Sequence, residues 1–109
     1  MIDYISIEKN LIPYQFDIQL GGITFTSEIN YNGEYDYFTI DLYKGEEVVL
    51  LGEKIVYGKP LFTTFLHLPI PPVLIVPLDL ADEETRVTYE NLNVKVFLYI
   101  IGDEPDAIQ

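Results

Sequence analysis

PYQFDIQLGGITFTSEINYNGEYDYFTIDLY (residues 13–43) alternates apolar and polar side chains through three runs, separated by Gly21-Gly22 and Asn32-Gly33. Tyr14, Phe16, Ile18 and Leu20 share one parity, and Gln15, Asp17 and Gln19 the other. A period of two places each set on its own face of a sheet. Ile23, Phe25, Ile29 and Tyr31 repeat the pattern after the first turn, and Phe38, Ile40 and Leu42 after the second. Asp36 shares the parity of the third run, at the strand start where a turn can leave it in water. Both turn dipeptides tolerate positive φ, which two-residue hairpin loops require. The stretch reads as a three-stranded antiparallel meander.

Outward from the meander the β pattern continues. Residues 4–7 form a short first strand, with Glu8-Lys9-Asn10 as a turn and Pro13 stopping any helix. After Tyr43, Lys44-Gly45-Glu46-Glu47 is a tight reversal into a fourth meander strand at 48–51. Gly52-Glu53-Lys54 interrupts the apolar run before Ile55-Val56-Tyr57 resumes it, so a bulge or break belongs near Gly52. Residues 61–77 are apolar and proline-spaced, which predicts an extended arm with a short buried strand at 73–76. The 81–85 loop is acidic, with room for one helical turn. Residues 86–89 alternate again, Asn91-Leu92-Asn93 reads as a hairpin turn, and 94–101 is the last long strand. Apart from Lys95 both faces of that strand are apolar, which places it centrally in a two-layer fold or beneath another chain. About eight strands without a convincing helix predict an all-β domain, a compact antiparallel β-sandwich or partly open β-barrel. The expected organisation is one β domain over residues 1–102 and an acidic tail over 103–109.

The composition agrees with a single folded core. A chain of 109 residues buries one core and little more, and 49% hydrophobic and 14% aromatic content is too high for disorder. There are no cysteines, which excludes disulfides, thiolate nucleophiles and cysteine metal sites. With 18 acidic against 6 basic residues the formal charge is −12, a field that repels phosphate backbones, so direct nucleic-acid binding is not expected. The acidity reads as a solubility device for a β-rich chain, as a match for a basic partner, or as phosphate mimicry. No secretory signal is visible in MIDYISIEKN. The most apolar window, residues 65–78, is shorter than the roughly 20 residues of a membrane helix and is broken by prolines, so no membrane span is expected.

Candidate chemistry is sparse. His67 is the only histidine, in Leu66-His67-Leu68, and no GxSxG elbow is present to complete a nucleophilic triad. A zinc site built from several His or Cys ligands is impossible. Asp17, Glu28 and Asp41 fall on the polar strand face, where they are solvated or intersubunit residues. Asn30, Asn32, Glu34 and Asp36 alternate as oxygen ligands would, but the glycine and terminal Glu of a calcium loop are misplaced. Gly21-Gly22 lacks the Lys-Ser or Lys-Thr of a phosphate loop. No cofactor is expected. Lys54 and Lys59, close together in an acidic chain, are available to acids of the fold or of a neighbouring copy. Tyr35, Tyr37 and Tyr43 share the parity opposite to Phe38, Ile40 and Leu42, which admits a second core layer, a protein interface or sugar stacking. With Leu66, His67 and Leu68 on the proline-spaced arm, and Phe97 and Tyr99 on the last strand, they form the candidate interface set.

Five strings, PYQFDIQLGGITFTSEINYN, DYFTIDLY, GEKIVYGKPLF, VPLD and TRVTYENLNVKVFLYI, follow one another in an order that is itself informative. Together they resemble the small baseplate plug proteins of contractile-tailed phages and prophages, the group related to a cyanophage baseplate plug. The resemblance runs from about Ile5 to about Ile101. It implies a non-enzymatic structural component of the central tail baseplate near tube and spike, made in the host bacterial cytoplasm and built into the virion. It implies other baseplate, hub and tail proteins as partners, and a homo-oligomer or symmetric copies on a hub. It carries no catalytic residues. The acidic tail and the 81–85 loop depart from the family in charge density. Two alternatives come from the residues alone. One is a carbohydrate-binding module stacking sugars on Tyr31, Tyr35, Tyr37 or Tyr43; the other is an acidic DNA-mimic inhibitor of a nucleic-acid enzyme.

Overall fold

The computed structural model describes residues 3–62, 71 and 73–101. Seven strands run in chain order: β1 (Asp3–Ile5), β2 (Tyr14–Leu20), β3 (Ile23–Asn32), β4 (Tyr37–Lys44), β5 (Glu47–Lys54), β6 (Leu74–Leu78) and β7 (Phe97–Ile101). β2-β3-β4-β5 form one antiparallel sheet and β1-β7-β6 a second. Their inner faces share one apolar core, so the fold is a two-sheet sandwich.

The alternation in residues 13–43 accounts for the larger sheet. Leu20, Phe25, Ile29, Phe38, Ile40 and Leu42 are all buried on its inner face. Each contributes roughly 1.5–3 kcal/mol of hydrophobic stabilisation. Gly21 and Gly22 both take positive φ, 61° and 81°, and close the tight β2–β3 hairpin with Leu20 opposite Ile23. The second turn differs from the two-residue Asn32-Gly33 hairpin expected. β3 continues through Asn32, residues 33–36 form a longer loop, and the left-handed residue is Asp36 at φ 57°. Asn32 causes this, because its side-chain oxygen accepts the N–H groups of Glu34 (3.0 Å) and Tyr35 (3.1 Å) and folds the chain into an Asx turn.

β5 runs through Gly52 and carries two register shifts against β4, between Ile40 and Leu42 and between Leu42 and Tyr43. The interruption at Gly52 is therefore a bulge within one strand. Gly52 sits at φ 66° and donates its N–H to the Asp41 carboxylate at 2.6 Å. Ile55 still bonds its N–H to the Phe38 carbonyl (2.9 Å), after which the chain crosses to the second sheet. There Gly58 donates to the Pro77 carbonyl and Leu61 to that of Ile75, both at 2.8 Å, which covers the outer edge of β6. Pro77 is tolerated within β6 for the same reason. Its carbonyl points to that outer edge, so its nitrogen does too, and no bond to β7 is lost.

The expected strand at 86–89 is absent and the last strand starts at Phe97, later than the expected 94. Asn91 explains both. Its side chain accepts from the Thr88 N–H (2.8 Å) and donates to Glu84 (2.7 Å) and to the Arg86 carbonyl (2.8 Å). Its own carbonyl takes the N–H groups of Val94, Lys95 and Val96. A buried Asn that collects this many bonds competes successfully with a sheet ladder. The 81–85 loop forms no helix; the Asp79 carboxylate holds it by accepting from Ala81 (3.0 Å), Glu83 (3.0 Å) and Glu84 (3.1 Å). The first strand ends at Ile5, and the Ile7 N–H turns to the Asn93 side chain at 3.1 Å. A 3-10 turn, Lys9–Leu11, replaces the simple turn, and the Ile12-Pro13 peptide bond is cis.

Candidate docking surfaces

The two outer faces of the sandwich have opposite chemistry. Because β3 and β4 pair with Glu28 opposite Asp41 and Asn30 opposite Thr39, the outer face of the larger sheet carries Gln15, Asp17, Thr26, Glu28, Asp41 and their hydroxyl and amide neighbours. The side chains bond to one another across strands: Thr26 donates to Asp17 at 2.8 Å and Gln15 to Glu28 at 3.0 Å. Tyr37 and Tyr43 lie half-buried on this outer face, outside the core cluster. Burial first, and then the charges of Asp41 and Glu28, raise the Tyr43 phenol above its ordinary 10.0. Tyr37 stacks under the Lys54 ammonium, 4.6 Å from its ring centroid.

Tyr35 stands at the loop tip, 66% exposed. Together with Tyr37, Lys54, Tyr57, Arg86 and Val87 it lines a cavity of about 160 Å³. Two of the chain's 6 basic residues meet in that wall. Below it, Tyr31 turns inward and packs against Phe38 and Tyr89, with ring centroids 4.8 and 5.0 Å away. The Tyr31 hydroxyl donates to Asp36 at 2.6 Å, and this bond, with burial and the Asp36 charge, pushes its pKa up to about 12. Asp36 is therefore not simply solvated: it also accepts the Tyr89 N–H at 2.9 Å, and the Tyr31 bond, with that N–H and Arg86, holds it below the ordinary 3.8. The tyrosines proposed as a sugar platform thus part company. Tyr31 faces the core, Tyr35 caps the loop, and Tyr37 and Tyr43 lie six residues apart on β4, roughly 20 Å along the strand.

Phe97 and Tyr99 lie on the other outer face. Pairing of Tyr4 with Tyr99, and of Leu78, Val76 and Leu74 with Phe97, Tyr99 and Ile101, places seven side chains together on the outside of the smaller sheet. Every one is apolar or aromatic. The Tyr4 ring lies 4.6 Å from Phe97 and 6.2 Å from Tyr99, and Phe97 and Tyr99 are 5.9 Å apart. None of the seven belongs to the core cluster, although Val76 and Tyr99 are buried. Burial, then the charge of Asp79, raises the Tyr99 phenol above its ordinary 10.0. The sequence reading named Phe97 and Tyr99 but missed Tyr4, Leu74, Val76 and Leu78. The signal available was the last strand's second apolar face, whose neighbours only pairing reveals. Leu66, His67 and Leu68 lie outside the described residues, as does the 103–109 tail.

Neither curated proteins nor solved structures match the chain. A family model, described as cyanophage baseplate Pam3 plug gp18, matches residues 2–104. That span takes in both sheets, both outer faces and the loop organised by Asp79 and Asn91. The chain belongs to the cyanophage baseplate Pam3 plug gp18 family, a group of phage tail baseplate plug proteins.

Proposed function

We propose that this chain is a non-enzymatic structural part of a phage or prophage tail baseplate, seated against hub and tail proteins in symmetric copies. The family match over residues 2–104 carries the reading. The architecture supports it: polar groups on the larger sheet are engaged with one another, and the described residues of the opposite face are all apolar or aromatic, the chemistry of a part that binds other parts. The proposed organisation is one β domain through residue 102 with the acidic 103–109 segment appended. Tyr35, Tyr37 and Tyr43, the 66–68 triplet, and Phe97 and Tyr99 are the proposed contact residues.

Mass spectrometry of purified tails tests the reading. The expected result is this chain in a fixed ratio to the tube and hub proteins, with assembly arrested short of complete tails when its gene is deleted. Complete tails that lack the chain, formed equally well after deletion, would overturn it.

A further inference from the structure

We propose that the outer face of the β1-β7-β6 sheet docks a different protein, one whose surface offers an apolar centre bordered by lysine or arginine. The inference deepens the baseplate reading and rests on it. Among the described residues, Tyr4, Leu74, Val76, Leu78, Phe97, Tyr99 and Ile101 put no charge and no amide on this face, and the polar atoms of their side chains are two phenol hydroxyls. The exposed members are large: Tyr4 at 46%, Leu74 at 43% and Ile101 at 38%. Large rings and aliphatic side chains kept at the surface mark an interaction site.

Size and charge select the partner. Three strands of this length present roughly 200 Å² of sheet, against about 800 Å² per partner in a stable interface. The border of the face must therefore join the contact, and that border is acidic. Leu78 leads directly into an acidic loop in which Asp79 is buried, Asp82 and Glu83 are exposed and Glu84 is half-buried. The buried Asp79 carboxylate organises that loop by accepting the N–H groups of Ala81, Glu83 and Glu84; burial raises its pKa, but those bonds, with Lys95, outweigh burial and hold it below the ordinary 3.8. Lys95, the nearby cation, is already held by Glu83 at 3.0 Å and Glu84 at 3.9 Å. On the β6 side one exposed cation, Lys59, stands against the acids of the 79–84 loop.

A second copy fits poorly. Two copies face to face would press together chains of net charge −12 each, both with the acidic 79–84 loop at the edge of the face. A cationic border on a different protein turns that repulsion into attraction.

The test places p-benzoylphenylalanine at position 4 or, separately, position 74 of the full chain, and photolyses assembled tails. The expected product is a crosslink to one different tail protein, at an apolar segment flanked by Lys or Arg. Charged variants Tyr4→Glu and Leu74→Glu should lower incorporation about tenfold or more, the loss of a hot-spot contact. Their thermal midpoints should stay within about 4 °C of the parent, as for surface substitutions. Crosslinks to a second copy, to residues 63–70 of the same chain or to no protein would overturn the docking inference while leaving the chain in the tail. Absence of the unsubstituted chain from tails would instead overturn the baseplate reading, and the inference with it.

Discussion

Glu53 holds a backbone conformation that few residues of its neighbour's size adopt. Phe62 is buried with φ at 58°, a left-handed value uncommon for a bulky side chain, and its N–H donates to both Glu53 oxygens at 3.2 Å. The carboxylate does this at a cost, because burial raises its pKa above the ordinary 4.5, only partly offset by the Phe62 N–H and Lys59. A folded pKa above the unfolded value means that the native state binds the proton more tightly, so ionisation at neutral pH works against folding. Glu53→Gln keeps an acceptor for Phe62 and removes the charge. It should stabilise the fold at pH 7 by less than about 1 kcal/mol once solvent screening is counted, and raise the thermal midpoint accordingly. The gain should shrink as pH falls through the folded pKa and close below 4.5, where Glu53 is neutral in both folded and unfolded states. Melting curves from pH 7 to pH 4 measure it, and a gain that persists at the acid end would show that the charge is not its source. Asp36 and Asp79 act in the opposite sense. Their folded pKa values lie below 3.8, so the stability they contribute is present above that pH and lost as pH falls further.

At the scale of elements, the bulge in β5 sorts the side chains of its strand. The two register shifts bury Val49 and leave Val48 48% and Leu51 62% exposed, which strict alternation along 48–51 would not produce. Gly52 makes the bulge possible. A Cβ built there meets nothing within 4 Å, so the cost of a side chain is purely that of φ at 66°. Gly52→Ala should destabilise by about 1–2 kcal/mol, the left-handed penalty of an L-residue. Gly33 lacks positive φ, and its added Cβ would meet Tyr31 at an ordinary 3.6 Å, so Gly33→Ala should stay within about 0.5 kcal/mol of the parent. Urea denaturation of the pair measures both, and equal losses would contradict this account of the bulge. The contrast also marks a limit of reading turns from dipeptides. Gly21-Gly22 and Asn32-Gly33 carry similar signals, yet only the first takes positive φ at both positions, because the Asn32 side chain captures two N–H groups and lengthens the second loop.

Across the whole molecule, the chain carries 18 acidic residues against 6 basic ones. Among the described residues the ion pairs within 4 Å are those of Lys95, so repulsion within the folded state is weakly answered by local pairing. Raising ionic strength from about 10 mM to about 150 mM shortens the screening length from roughly 30 Å to roughly 8 Å. The thermal midpoint should rise by several degrees, since about 1 kcal/mol corresponds to ~4–8 °C in a domain of this size. A midpoint that falls with sodium chloride would mean that attractive pairs outweigh repulsion.

Local periodicity determined the all-β class, the inward set from Leu20 to Leu42, the Gly21-Gly22 hairpin and the interruption at Gly52, because alternation and turn chemistry act over a few neighbouring residues. The order of strings along the chain was enough to suggest the family. Tertiary structure alone decided that the 86–101 region begins as a knot around Asn91, whose bonds reach Glu84 and Arg86 on one side and Val96 on the other. It alone assembled Tyr4, Leu74, Val76, Leu78, Phe97, Tyr99 and Ile101 into one surface. Those seven come from three strands separated by up to ninety-odd residues, and no local pattern specifies which strands will pair. The alternation says that a residue faces in or out; strand pairing says what stands beside it, and a docking surface is made of neighbours.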